Sequence, residues 1–140
     1  MRMLNMLALV ALLALGSCSA SSIIMAYGGP TPAQITAAQR RPLSPAEQKV
    51  VSDSISTGLK DPGSAQFKFP PIAMIRTKNN GIAYCVLINA KNSYGGYVGF
   101  SYAYMIVFTD SADHVNEVHL ISLASPDDNA DERFCRAYGY

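Results

Sequence analysis

The chain has 140 residues, with 11 lysines and arginines against 10 acidic residues and a formal net charge of +1. That balance gives no electrostatic case for nucleic acid or an anionic membrane surface as a partner. At this length one small domain with a tether is expected, not two domains.

The chain opens MRMLNMLALVALLALGSCSA: one basic residue, Arg2, then an apolar stretch from Leu4 to Leu15 interrupted only by Asn5. A helix that crosses a bilayer takes roughly 20 apolar residues, so this stretch is too short to span. A basic start, an apolar middle and small residues after it read as an export signal. Leu15-Gly16-Ser17-Cys18 closely resembles the end of a bacterial lipoprotein signal, where a leucine and two small residues precede an invariant cysteine. The resemblance implies that residues 1–17 are removed and that Cys18 carries acyl chains anchoring the mature chain to a membrane. Ser19 after that cysteine resembles lipoproteins sorted to the outer membrane. The expected location is therefore the bacterial cell envelope, on the outer membrane facing the periplasm. Ordinary signal cleavage after Ala14-Leu15-Gly16 is the competing reading, and it leaves Cys18 a free thiol.

Of three cysteines, acylation of Cys18 leaves Cys85 and Cys135 as an even set in an oxidising compartment. A Cys85–Cys135 bridge would close a loop of about 50 residues, worth roughly 4 kcal/mol in the chain-entropy description. The alternative is two buried free thiols. Neither Cys-x-x-Cys nor a Cys/His ligand spacing occurs, so neither a zinc site nor a cofactor is expected.

Residues 18–43 are rich in Ser, Ala, Gly, Pro and Thr and read as a flexible tether, too poor in buriable surface to offset its ordering entropy. The domain is expected over residues 44–140. Ser44, Pro45 and Glu47 form a capping box with proline at the first helical position, and Val51, Ile55 and Leu59 give one apolar stripe. Lys60-Asp61-Pro62-Gly63 ends that helix. Ile72 to Lys78 reads as a strand, Asn79-Asn80-Gly81 as a tight turn of type I′, and Ile82 to Ala90 as the return strand. Phe100 to Thr109 is a third strand, apolar on both faces and hence central and doubly covered. Val115 to Leu123 is a fourth. The acidic residues Asp127, Asp128, Asp131 and Glu132 suit the start of a short helix carrying Cys135. The fold class is α+β: an N-terminal amphipathic helix on a four-stranded antiparallel meander, with a short C-terminal helix pinned by a disulfide.

Two stretches resemble a group of small exported bacterial proteins of unassigned function. One is Leu59-Lys60-Asp61-Pro62-Gly63-Ser64-Ala65-Gln66-Phe67, and the other is Asn89-Ala90-Lys91-Asn92-Ser93-Tyr94-Gly95-Gly96-Tyr97-Val98-Gly99-Phe100, preceded by Cys85. The chain departs from the group at Val86, where glycine usually follows the cysteine. The resemblance covers roughly Pro45 to Phe108 and implies export and fold, not a mechanism.

The glycines of 94–99 do not make a dinucleotide loop: Tyr94 stands where the first glycine should be, and a strand follows instead of a helix. Lys91, Asn92, Tyr94 and Tyr97 are a candidate binding loop, a shallow polar–aromatic site for a glycan or peptide. The simpler reading has Asn89 and Asn92 bonding the loop backbone while the tyrosines pack. His114 and His119, five apart, fall on opposite faces of a strand and cannot share a metal through it. No Gly-x-Ser-x-Gly elbow is present. These residues point to a lipid-anchored, non-enzymatic binding or structural protein, its partners a membrane through the anchor and peptidoglycan or another envelope protein. The alternatives are a periplasmic inhibitor or exclusion factor acting through the 91–100 loop, and a cryptic hydrolase using His114 or His119.

Overall fold

The computed structural model describes residues 30–123 and 129–140. The signal segment 1–17, Cys18, the first part of the tether and Asp127 and Asp128 lie outside the described residues.

Helix α1 (Pro32–Ala37) and the two-residue strand β1 (Arg40–Arg41) precede the long helix α2 (Pro45–Ser56). Strands β2 (Gln66–Lys68), β3 (Ile72–Ala73), β4 (Ile82–Asn89), β5 (Ser101–Thr109) and β6 (Val115–Leu123) follow, and α3 (Ala130–Ala137) comes last. The main sheet is antiparallel in the order β2-β4-β5-β6, while β1 pairs with β3 in a small second sheet. The expected fold class is the observed one: a helix packed on a four-stranded antiparallel sheet, with the last helix joined to it by the Cys85–Cys135 disulfide.

The strand expected over Ile72 to Lys78 is not the edge of that sheet. Gln66–Lys68 takes its place, pairing Phe67 with Ile88. Pro70 and Pro71 cannot both continue a ladder, and the chain leaves the main sheet there. Ile72 and Ala73 pair instead with Arg41 and Arg40. Only Arg76 returns to bridge Ile82. The ordered body thus reaches back beyond Ser44 into the segment read as tether: Leu43 is buried, Arg41 pairs with Ile72, and α1 carries its own capping box at Thr31.

The sheet is covered on both faces, as the two-sided apolar pattern of the third strand requires. Ile82, Tyr84 and Val86 of β4 and Ala103, Met105 and Val107 of β5 form the core with Val51 and Ile55 of α2. Each such aliphatic side chain contributes about 1.5–3 kcal/mol by leaving water. On the opposite face Cys85 and Tyr104 are partners across β4 and β5. Cys135 meets Cys85 there with a Cα–Cα separation of 5.9 Å, and Phe134 lies 4.2 Å from the Tyr104 ring centroid. Burial pushes the Tyr104 phenol up to about 12.

Three hairpin turns share one backbone design, a type I turn followed by a left-handed residue. In the first, Thr77 N–H donates to Gly81 O and Asn80 N–H to Thr77 O, with Asn80 at φ 62°. Gly81 does not have positive φ, so the expected type I′ turn is replaced by this three-residue loop. The turns at 92–96 and 110–114 repeat the pattern, with Gly95 at φ 80° and Asp113 at φ 61° in the left-handed seat.

Candidate functional site

The two stretches singled out by resemblance meet in space. Ser64, in the short 3-10 turn Pro62–Ser64, accepts a hydrogen bond from the Lys91 N–H on its hydroxyl at 3.0 Å. Its carbonyl accepts from the Tyr97 hydroxyl at 2.9 Å. Lys60 Nζ donates to Ser93 Oγ at 2.6 Å. These bonds fasten the 91–100 loop to the chain just beyond α2.

Within the loop, Asn92 is the organiser. Its Oδ1 accepts from the N–H groups of Tyr94 (2.9 Å) and Gly96 (3.1 Å), while Asn89 Oδ1 accepts from Gly99 N–H at 3.2 Å. Both asparagines therefore serve the backbone, as the simpler reading expected. The tyrosines divide. Tyr97 bridges Lys91 across the loop, is 45% exposed, and has the Lys91 ammonium 5.9 Å from its ring centroid. Tyr94, at the tip, is 96% exposed and packs on nothing that would hide it. Val98 and Phe100 are exposed as well, and Lys68 Nζ sits 4.0 Å from the Phe100 ring centroid.

Under the loop lies an open groove of about 310 Å³. Leu59, Ile88, Val98 and Leu123 give it an apolar lining, and Lys60, Lys91, Asn92 and Ser93 a polar one. Of these, Lys91 and Asn92 were legible as candidates. Lys60 was visible only as part of a motif that ends a helix, and Leu59 as the last residue of the apolar stripe of that helix. Leu123 had no signal as a lining residue, because its place depends on how β6 passes the end of α2.

The histidines lie at different places on the surface. His114 Nδ1 is 3.6 Å from Asp110 Oδ2, and His119 Nε2 is 2.7 Å from Glu117 Oε1. The hydroxyl of Thr109 accepts from Arg76 and contacts Asp113, not a histidine. Asp110 is held below the usual carboxylate range by the N–H groups of His114 and Ala112, which is turn chemistry. Among the described residues no group of three or more His, Cys, Asp or Glu could hold a metal ion, and no helix is long and apolar enough to cross a membrane.

Among the described residues the one buried carboxylate belongs to Glu47, 2% exposed, at the sheet end opposite the 91–100 loop. Its Oε1 accepts from Arg41 Nη2 (2.6 Å) and Val115 N–H (2.8 Å), and its Oε2 from Arg41 Nη1 (2.9 Å) and Ser44 N–H (2.7 Å). Burial pushes the carboxyl up, but the guanidinium and those N–H groups outweigh it and hold the group at about 2. Every acceptor position is engaged from within the protein, so this group supports the fold and not a reaction. Compared with known proteins, the chain matches no family model, no curated protein and no solved structure.

Proposed function

We propose that the protein is a lipid-anchored component of the bacterial cell envelope that works as a binding module through its 91–100 loop. The observation that carries this reading is polarity. Pro30 lines a cavity with Ile75, Arg76, Thr77 and Lys78, at the end of the sheet where β4 starts. The 91–100 loop follows the other end of β4. Eight residues of strand separate the two ends by roughly 24 Å. An attachment at Cys18 precedes Pro30 in the sequence and so joins the body at the end of the sheet opposite the 91–100 loop.

The disulfide supports the anchor in a second way: with Cys85 and Cys135 bonded to each other, Cys18 is the remaining cysteine of the three. Tyr94 and Val98 offer apolar contact area that leaves water only when a partner covers it.

Two measurements test the two halves. Metabolic labelling with an alkyne palmitate is expected to mark the wild-type chain and to fail with Cys18→Ala; an unlabelled wild-type chain overturns the anchor. A photoreactive side chain at position 94 is expected to give a discrete adduct in intact envelopes. Equal adduct formation from exposed position 53 on α2 overturns the role of the loop.

A further inference from the structure

We propose that the groove between the end of α2 and the 91–100 loop receives the free C-terminal carboxylate of a peptide. This ligand class deepens the binding role given above and rests on it. Three features of the groove select it.

The first is size: about 310 Å³ lies at the small end of ligand pockets, enough for a chain end and not for a folded surface. The second is charge. Lys60 and Lys91 line the groove, and among the described residues no carboxylate does. Lys60 gives one of its three donors to Ser93, which leaves two directed elsewhere. Neither lysine is in an ion pair among the described residues. The third is the mixture of lining chemistry. Leu59, Ile88, Val98 and Leu123 accept short aliphatic side chains, while the Asn92 carboxamide, its oxygen already committed to the loop, keeps its NH2 group as a donor for a peptide carbonyl. A purely hydrocarbon tail would strip water from Asn92 and Ser93 and return no hydrogen bond. A peptide end satisfies both kinds of wall.

The probes are N-acetyl-trialanine with a free carboxylate, its C-terminal amide, and isovalerate, each titrated into the full-length protein and followed by amide shifts of Lys91, Ser93 and Gly99. The free acid is expected to shift those signals with a Kd on the order of 1 mM. The amide is expected to bind at least about five-fold more weakly, and Lys91→Gln to weaken the acid about two- to five-fold, the size of exposed ion pairs. Lys60→Gln should do the same, and Lys91→Gln guards against loosening of the loop, since it leaves the Lys60–Ser93 bond in place. Equal binding of acid and amide, shifts confined to other parts of the molecule, or shifts from isovalerate with none from the tripeptide overturn the assignment. The adduct at position 94 is read separately: its persistence with silent peptides rejects the ligand class alone, and its loss rejects the binding role itself.

Discussion

At Asp110 and at Asn92 the same device closes a turn. Asp110 Oδ1 accepts from the N–H groups of Ala112 (2.8 Å) and His114 (3.0 Å), as Asn92 Oδ1 does from Tyr94 and Gly96. What surrounds the two turns differs completely. The 110–114 turn is fastened inward: Asp113 pairs with Arg76, the Asp113 carbonyl accepts from Arg41, and Val115 just after it donates to the buried Glu47. The 92–96 turn is fastened at its base, through Ser64 and Lys60, and its tip is left in water. One hairpin closes the body, and the other is held out from it in a fixed shape. Fixing a loop before it binds removes ordering cost from the binding step, so the contrast bears directly on the role proposed for 91–100.

The contrast is broken most severely at Glu47. Glu47→Ala would leave Arg41 without its bidentate partner and the Val115 N–H without an acceptor. Arg41 keeps some exposure and can rehydrate, so the expected loss is about 2–4 kcal/mol, read from urea unfolding. The 92–96 turn should keep its amide shifts in the folded fraction. A shift of both turns together would show that they are not independent supports.

Acid acts on the same group without changing the chain. The folded carboxyl titrates at about 2 against an ordinary 4.5. A depressed carboxyl contributes stability above its unfolded value and loses it as pH falls toward the folded one. The stability contributed by Glu47 is therefore expected to be intact above pH 4.5 and to fall away between 4.5 and 2, on the order of 3 kcal/mol in all. Glu47→Gln should flatten that part of the pH profile. A wild-type stability that is level across the window would show that the carboxylate is not held as its hydrogen bonds imply.

Glu47 also marks where sequence reading stops. Its place in a capping box was legible, and Ser44 Oγ does accept from Glu47 N–H at 3.3 Å while Glu47 answers Ser44. Its reach to Val115, 68 residues away, was not, since a local motif carries no record of long-range partners. The cysteine pairing was legible because setting Cys18 aside leaves Cys85 and Cys135 as the remaining two of three. The two-sided third strand was legible because its apolar residues do not alternate. The first strand was misplaced because Gln66–Lys68 is too short to show a period, whereas Ile72 to Lys78 looks like a strand and only its Ile72–Ala73 start serves the small sheet. The candidate loop was legible as composition. Its union with the Leu59 to Phe67 stretch was not, since that depends on how α2 ends beside the sheet.

A finer probe of the contrast is the left-handed seat of each hairpin. At 110–114 it is filled by Asp113, whose carboxylate reaches Arg76. At 92–96 it is filled by Gly95, and a Cβ there would meet no atom within 4 Å. Gly95→Ala therefore clashes with nothing and suffers only the backbone penalty of about 1–2 kcal/mol. A melting temperature lowered by about 4–8 °C per kcal/mol is expected. No change would show that the loop can relax out of the type I plus left-handed form, and so is not the fixed scaffold that pre-organised binding needs.

The smallest effect on the fold is expected at the residue whose exposed ring is offered to a partner. Tyr94 is 96% exposed, so Tyr94→Ala removes a ring that the folded and unfolded chains expose almost equally. Stability by urea unfolding should stay within about 0.5 kcal/mol of wild type. Asn92 and Gly95 set the path of the backbone through this turn without help from the ring, so the turn should survive the change. A fall larger than about 1 kcal/mol, of the kind that follows lost packing, would mean that the ring packs against the body in solution. The 92–96 hairpin would then be fastened inward like its counterpart, with nothing left at its tip to offer a partner.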